Sequence, residues 1–381
     1  MSRRAQWGAV VTCGILVAIG GGAFALAFVV GAPLRAWEAF LVNLLFWLGI
    51  AQGGIIVSAS FYLTEARWGG AALYRLAEAF AGFLPLGFLL FWVIFPGRAA
   101  IFPWIAHPIP EKAAWLNVPF LFARDGGGLL LMTLLSLWFV RASRRPESVQ
   151  WAETYSTIAR PPLSIMVLAP AVIIAYVVIY SVLAFDLVMS LSPRWYSTLF
   201  GVYFFALAYW SALAAMGLLA VLGWRPARHD TAAERGGVLH DLGKLVFAFS
   251  IFWAYLLWSQ YLPIWYAALP EETFFVVPRV HRLPWGLLGW TALVLIWAIP
   301  FVVLLGRRAK RTPAILGCVC GLGLIGVWIE RYVLVTPSLS PRVIPFGWVE
   351  PIITAGFAGV FGLCLLPGIR LVPSRSAGGD E

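Results

Sequence analysis

Residues 5–34 read AQWGAVVTCGILVAIGGGAFALAFVVGAPL, and residues 195–224 read WYSTLFGVYFFALAYWSALAAMGLLAVLGW. Neither stretch contains a charged residue, and each exceeds the roughly 20 apolar residues with which an α-helix crosses a bilayer. Similar stretches recur through the chain, which is 61% hydrophobic and 12% charged, whereas soluble domains are about a quarter charged. The sequence therefore predicts an all-α polytopic membrane protein.

The apolar stretches and the breaks between them predict about ten transmembrane helices. The polar loops between the helices are too short to build cores of their own, so residues 1–381 are expected to form a single integral membrane domain. Arg124 and Asp125 interrupt the fourth helix. The expected helices cover residues 7–30, 36–63, 71–95, 116–140, 163–190, 196–223, 242–269, 284–306, 313–336 and 343–367.

The basic residues are distributed unevenly between the two sides of the membrane that this topology defines. The net charge of +10 is therefore interpreted as a consequence of membrane topology, and no nucleic-acid partner is expected. Seven basic residues fall on the side opposite the termini: Arg35, Arg98, Lys112, Arg194, Arg279, Arg282 and Arg342. The terminal side has 18 of the 27: Arg3, Arg4, Arg67, Arg75, Arg141, Arg144, Arg145, Arg160, Arg225, Arg228, Arg235, Lys244, Arg307, Arg308, Lys310, Arg311, Arg370 and Arg375. The positive-inside rule then predicts that both termini are cytoplasmic.

The sequence contains few residues that could hold a redox cofactor. Its four histidines, His107, His229, His240 and His281, are expected in loops or at helix ends, and no C-x-x-C pair is present. Haem b requires axial ligands within the helices, and haem c requires C-x-x-C-H. We therefore expect no cofactor and no metal bound by this chain, and no catalytic residue in it. Cys318 and Cys320 should point to different sides of one helix.

Small residues indicate where helices approach one another closely. Gly49 and Gly53 form a small-xxx-small pair in the second helix, and Gly317 with Gly321 forms another in the ninth. The run Gly20–Gly22 flattens one side of the first helix. Such pairs are typical of helix contacts in membranes.

Ionisable residues at membrane depth are expensive and suggest function. Structural ion pairing is the competing interpretation, with Asp186 as the expected partner of Arg124. On the side opposite the termini these residues are Glu38, Arg124, Asp125, Asp186, Glu330, Arg331 and Glu350, and on the terminal side they are Arg75, Glu78, Asp241 and Lys244. Asp241 is also expected to act as an N-cap of the seventh helix, and Arg75 with Glu78 as an ordinary i,i+3 pair.

Neutral polar groups lie between these two sets. Tyr176 with Tyr180, and Tyr255 with Ser259, share helix faces at i,i+4, so each pair suits either a hydrogen-bonded proton chain or simple bonds to a neighbouring helix. The candidates for a proton route are Glu78, Asp241, Lys244, Tyr255, Ser259, Tyr176, Tyr180, Asp186, Asp125 and Glu330. The candidates for a quinone site are Arg124, Asp125 and Asp186.

Two stretches resemble a known family. Residues 185–205, FDLVMSLSPRWYSTLFGVYFF, join the fifth and sixth helices, and residues 243–273, GKLVFAFSIFWAYLLWSQYLPIWYAALPEET, cover the seventh helix and its exit. Both are similar to the polysulfide-reductase (NrfD-like) family of integral membrane subunits, and within it to the smaller, F subunit of bacterial alternative complex III. WIERYVLVTPSL at residues 328–339 is the next best match. In helix count and order the resemblance covers residues 37–367, and Ala268 stands where Asn is usual in that family.

The resemblance implies an architecture and a set of partners. Helices 2–5 and 6–9 would form two four-helix bundles, flanked by helices 1 and 10. The complex would lie in the bacterial inner membrane and oxidise quinol, for example menaquinol, at its outer face. Iron–sulfur clusters and haem c in partner subunits would carry the electrons to cytochrome c or a terminal oxidase. The partners would be a larger NrfD-like sister subunit, an iron–sulfur subunit and multi-haem cytochrome c subunits.

The sequence leaves several functions open. The preferred hypothesis is a non-redox subunit of a quinol-oxidising complex, with a proton-conducting role. A quinone-binding membrane anchor is the first alternative, and a pure scaffold is another. A secondary transporter is the alternative from a different class, because such proteins contain helices broken at the midplane; Pro85 and Pro170 are the candidate breaks.

Overall fold

A computed structural model of the chain describes residues 3–153, 160–222 and 232–370. Within these residues the secondary structure is helical and contains no strand, and ten helices are long and apolar enough to cross a membrane. The predicted all-α polytopic class is confirmed. We number these helices span 1 to span 10 in chain order. The near end of the molecule is where span 1 begins and span 10 ends, and the far end is opposite.

The spans follow the predicted order with shifts of a few residues at most boundaries. Spans 3 and 8 each consist of two α-helical pieces joined by a short irregular segment. The bounds are Arg3–Val29, Pro33–Leu63, Gly70–Ala79 with Leu84–Trp92, Val118–Ser143, Leu163–Leu187, Phe200–Leu222, Ala232–Ala267, Trp285–Leu293 with Ile299–Val303, Pro313–Leu339 and Val349–Arg370. Shorter helices lie outside the spans at Ile94–Ile101, Pro103–Ala106, Pro146–Glu153, Pro270–Val280 and Arg307–Arg311.

The spans pack as two rings of four helices. Spans 2, 3, 4 and 5 contact one another in order around the first bundle, and spans 6, 7, 8 and 9 do so around the second bundle. Span 2 packs along span 6 and also contacts spans 5 and 9, so it joins the bundles. Spans 1 and 10 form an antiparallel pair that lies against spans 2 and 3. Span 2 is accordingly the most buried of the ten.

Glycine allows the closest of these approaches. A Cβ atom on Gly53 would clash with the carbonyl of Ala208 in span 6, and one on Gly49 would press against the same residue. Gly20 lies against Gly356 of span 10. The predicted contact of Gly317 is present, against Val221, but the prediction for Gly321 is wrong, because open space surrounds its Cβ position. Cys318 is exposed and Cys320 is buried, so they do point to different sides.

Two spans depart from the expected shape for local reasons. Span 3 is interrupted by a tight turn at Phe80–Phe83, where Pro85 in the following helix lacks an N–H for the preceding turn. Pro170, in contrast, lies inside the continuous helix of span 5. Span 4 is also continuous through Arg124 and Asp125, and Asn117 caps it by accepting a hydrogen bond from the backbone N–H of Phe120 at 2.9 Å.

Span 7 begins well before the predicted residue 242. Its helix already includes Ala232, so Asp241 lies in the helix interior and the prediction that it is an N-cap is wrong. His240 is likewise in the helix rather than at its end. Among the basic residues assigned to the near end, Arg225, Arg228 and Arg375 lie outside the described residues, as does His229.

Replacing Gly20 with alanine tests the packing of span 1 on span 10. Its new Cβ would overlap the backbone of Gly356, whereas Gly21→Ala places a Cβ in open space. Both changes gain the same helix propensity, so their difference isolates the clash. We expect Gly20→Ala to lower the free energy of unfolding by about 1–3 kcal/mol, measured by SDS titration in detergent micelles. Equal stability of the two variants would contradict this packing.

Candidate functional site

An ion pair closes the far end of the first bundle. The Arg124 guanidinium on span 4 donates from Nε to Asp186 Oδ2 on span 5 at 2.7 Å, and Nη2 lies 2.6 Å from the same oxygen. The Trp115 indole donates to Asp186 Oδ1 at 2.8 Å, and its ring lies 3.8 Å from the guanidinium carbon. The predicted pairing of Arg124 with Asp186 is confirmed.

Asp125 lies beside this pair, with its carboxyl group within hydrogen-bonding reach of the Asp186 carboxyl group. It is 1% exposed, and neither of its carboxyl oxygens accepts a hydrogen bond from the residues that the structure describes. Asp186 and Arg124 are close enough to interact with it electrostatically. Because span 4 begins at Val118, Asp125 is about 10 Å below the far end at 1.5 Å per residue. The three residues predicted as a quinone site therefore do converge.

Glu78 is the buried carboxyl group near the opposite end of the first bundle. Its side chain on span 3 accepts a hydrogen bond from Ser58 Oγ on span 2 at 3.1 Å, and the residue is 2% exposed. Arg75 and Arg144 supply positive charge nearby. The predicted i,i+3 pair with Arg75 would place the Glu78 carboxyl group beside its own helix only. Instead, this carboxyl group also contacts span 2 inside the bundle.

Neutral polar groups occupy the level between these carboxyl groups. Gln52 Nε2 on span 2 donates to Ser136 Oγ on span 4 at 2.9 Å. Tyr180 Oη donates to the Leu48 carbonyl at 2.9 Å, and Tyr176 Oη donates to the Phe205 carbonyl at 2.6 Å. Each tyrosine therefore hydrogen-bonds the backbone of a neighbouring helix, one of the two roles considered for the pair.

The buried polar groups of the first bundle follow one another across it. From Ser58 to Gln52 the axial step is about 9 Å, from Gln52 to the level of Leu48 about 6 Å, and from Tyr180 to Asp186 about 9 Å. Together these steps cover most of the roughly 30 Å hydrocarbon core. We call this series the polar ladder; its members are Glu78, Ser58, Gln52, Ser136, Tyr180, Asp125 and Asp186.

The second bundle contains one buried carboxyl group in its far half. Glu330 on span 9 accepts a hydrogen bond from Tyr203 Oη at 2.6 Å, and its other oxygen lies 3.4 Å from Arg331 Nη1. Arg331 is 1% exposed, donates to the Phe204 carbonyl at 3.1 Å and lies 3.8 Å from the Phe204 ring. The sequence marks Glu330 and Arg331 as ionisable residues and Tyr203 as a neutral polar group of the membrane centre, but it does not predict that Tyr203 bonds Glu330.

The other candidates in the second bundle lie at its surface. Asp241 and Lys244 form an ion pair at 2.7 Å, with side chains that are 32% and 57% exposed. Tyr255 is 61% exposed, and Ser259 is half-buried. These residues and Glu330 therefore do not form a series of buried polar groups across the second bundle, as the polar groups of the first bundle do.

A cavity of about 600 Å³ opens between spans 6, 7, 8 and 9. Glu330 and Tyr203 contribute to its wall, and so does Arg279, which sequence reasoning left in an outer loop. Arg279 instead lies on the helix Pro270–Val280, 7% exposed, and donates to the carbonyls of Phe275, Val333 and Leu334 and to Ser338 Oγ. Burial lowers the pKa of this guanidinium to about 9, so it stays charged at neutral pH.

A third polar cluster joins spans 2, 9 and 10 at the far end. Glu350 accepts hydrogen bonds from Arg35 Nη2 at 2.8 Å and from the Gly347 backbone at 2.7 Å. Glu38, which is 1% exposed, accepts one from Ser340 at 2.8 Å. These bonds hold the far ends of three spans together.

The fold and these sites define a polytopic helical membrane protein with carboxyl groups buried in both bundles. In the described ranges, no three His, Cys, Asp or Glu side chains are grouped so that they could hold a metal ion. No family model matches the chain. A search of curated proteins found no significant match either.

Replacing Asp186 with asparagine tests the ion pair at the far end of the first bundle. The change removes the carboxylate that is hydrogen-bonded to the buried Arg124 cation, so we expect a loss of about 3 kcal/mol in the free energy of unfolding. Glu147→Gln is the matched control, because Glu147 and Arg145 form an exposed pair at 4.0 Å whose loss should change stability by less than about 0.5 kcal/mol. SDS titration of both variants measures the difference, and equal losses would show that the buried pair is not stabilising.

Proposed function

We propose that this chain is a non-redox membrane subunit of a quinol-oxidising respiratory complex of the bacterial inner membrane and that it conducts protons through its first bundle. The observation that carries the proton role is the polar ladder, in which buried carboxyl groups near both ends are separated by hydrogen-bonded polar groups at axial steps of about 6–9 Å. The resemblance of residues 185–205 and 243–273 to NrfD-like subunits supports the proposed setting.

The arrangement of the ladder favours proton transfer over a purely structural role. A scaffold needs its buried polar groups to be paired, since unpaired ones are costly in hydrocarbon. No described side chain donates a hydrogen bond to the Asp125 carboxyl group, and its polar neighbour is a second carboxyl group, that of Asp186, with which it can share a proton. A carboxyl group that releases and regains a proton explains why an acid occupies this position.

The charges at the near end agree with the proposed orientation. Arg141, Lys244 and the helix Arg307–Arg311 lie there, and basic residues prefer the cytoplasmic side. In this orientation Glu78 would exchange protons with the cytoplasm, and Asp125 with Asp186 would do so with the outer face. The electron chemistry would belong to partner subunits that contain iron–sulfur clusters and haem c.

A secondary transporter is less well supported by the same features. The helix of span 5 continues through Pro170, and the break at Pro85 is a single tight turn in span 3. Transporters of that class typically bind their substrate between unwound helix segments at the midplane. At that level the first bundle instead contains the hydrogen-bonded pair Gln52 and Ser136.

Gentle extraction of the tagged chain from its native membrane tests the proposed complex. We expect a second NrfD-like subunit, an iron–sulfur protein and a multi-haem cytochrome c to co-purify, with quinol-dependent reduction of the haem as the readout. A tagged membrane protein unrelated to respiration, extracted in parallel, is the control for adventitious haem proteins. Recovery of the chain without redox partners, together with solute uptake by the chain in liposomes, would contradict the proposal.

A further inference from the structure

The cavity of the second bundle opens sideways, towards the lipid. Residues on its rim are exposed on the apolar surface of the protein: Tyr255 is 61%, Trp258 56% and Trp290 53% exposed. Its inner end reaches Glu330, nine residues before the end of span 9 at Leu339, which is about 13 Å below the far end. A molecule that enters from the bilayer can therefore reach a buried carboxyl group without crossing water.

The walls near this inner end are aromatic. The Tyr203 ring lies 6.0 Å from Phe200 and 5.7 Å from Trp253, at interplanar angles of 24° and 35°. Trp297 lines the cavity from the π-helical segment Val294–Ala298 of span 8, a type of segment that is frequent at functional sites. Flat aromatic walls of this kind suit a planar ring better than a flexible acyl chain.

Two polar atoms in the wall have incomplete hydrogen bonding. Glu330 is 5% exposed and Trp253 is 1% exposed. Neither Glu330 Oε2 nor Trp253 Nε1 makes a hydrogen bond of good geometry in the part of the chain that the structure describes. Arg331 lies within ion-pair distance of the carboxylate, and the Trp253 indole lies close to the Tyr203 hydroxyl group. One of these atoms accepts hydrogen bonds and the other donates them. A hydroxyl group on a ring satisfies both, because it can donate to the carboxylate and accept from the indole.

We infer that this cavity binds a quinol, with its ring between the aromatic walls, a hydroxyl group at Glu330 and Trp253, and its isoprenoid tail leaving through the opening between spans 7 and 8. The volume of about 600 Å³ lies within the usual range for ligand pockets. The choice of a quinol over other ring-headed lipids rests on the proposed function. The site is distinct from Arg124, Asp125 and Asp186 in the first bundle.

A phospholipid head group fits these contacts less well. The cationic group in the cavity wall, Arg279, already donates to three backbone carbonyls and to Ser338 Oγ. A phosphate would have to displace some of these bonds and would also lie in the same cavity as the Glu330 carboxylate. A neutral head group avoids both penalties.

Photolabelling of the full chain tests the inference. The chain is reconstituted in nanodiscs of quinone-free phosphatidylcholine, reduced, and illuminated with an azidoquinol that has a short isoprenoid tail. We expect label on the helices Ala232–Ala267 and Pro313–Leu339, and we expect excess unlabelled quinol to suppress it. Label on Val118–Ser143 or Leu163–Leu187, label that quinol does not suppress, or no label would overturn the inference.

Two neighbouring substitutions on span 8 provide a matched pair. Leu293 lines the cavity, whereas Val294 is 44% exposed and does not. Leu293→Trp should fill the cavity and reduce labelling by about tenfold, equivalent to roughly 1.4 kcal/mol of binding, whereas Val294→Trp should leave it unchanged. Equal labelling of the two variants would overturn the inference, and if Leu293→Trp does not fold, the position of the label in the unmodified chain still decides.

The outcome is separable from that of the proposed function. Labelling uses the chain alone, whereas the complex is tested by what co-purifies with the chain from its native membrane. If the chain is labelled here but co-purifies with no redox partners, the quinol site stands and the proposed function is wrong. If the chain co-purifies with a respiratory complex but is not labelled, the proposed function stands and the quinol site is wrong.

Discussion

The hydrocarbon core of a bilayer offers no hydrogen bonds, so an inward-pointing polar side chain is costly unless it finds a partner within the protein. In this protein one such pair joins Arg124 of span 4 to Asp186 of span 5 at 2.6 Å. Glu330 with Tyr203, Glu78 with Ser58 and Glu350 with Arg35 fix other pairs of spans in the same way. Glycines then set how closely the backbones approach, most clearly where Gly53 of span 2 meets Ala208 of span 6.

The two bundles use their buried polar groups differently. In the first bundle these groups extend from Glu78 near one end to Asp186 near the other. Several of them hydrogen-bond a side chain on a neighbouring span. In the second bundle Glu330 lies at a cavity that opens to lipid, while Asp241 pairs with Lys244 at the surface. This difference assigns the two proposed roles, proton transfer and quinol binding, to separate halves of the molecule.

Much of this arrangement was predictable from sequence because the membrane restricts what a chain can do. Apolar length gave the ten spans, and the cost of an isolated charge predicted the pairing of Arg124 with Asp186. Arg279 was missed because it follows a span in sequence, where a basic residue usually faces water. Only the folded chain shows that its helix docks onto span 8, where Gly289 leaves room for the Arg279 carbonyl. Asp241 was misassigned because a polar residue before an apolar run looks the same at a helix start and inside a longer helix.

In the proposed function, protons cross the first bundle by way of Glu78. Counting protons released per electron by the assembled complex in proteoliposomes, with Glu78→Gln, tests it most directly, because glutamine keeps an oxygen for the Ser58 hydrogen bond but cannot take up a proton. Asp241→Asn, at the exposed pair, is the matched control. Glu78→Gln should lower the ratio, whereas Asp241→Asn should leave it unchanged. An unchanged ratio in an intact Glu78→Gln complex would show that protons do not pass through Glu78.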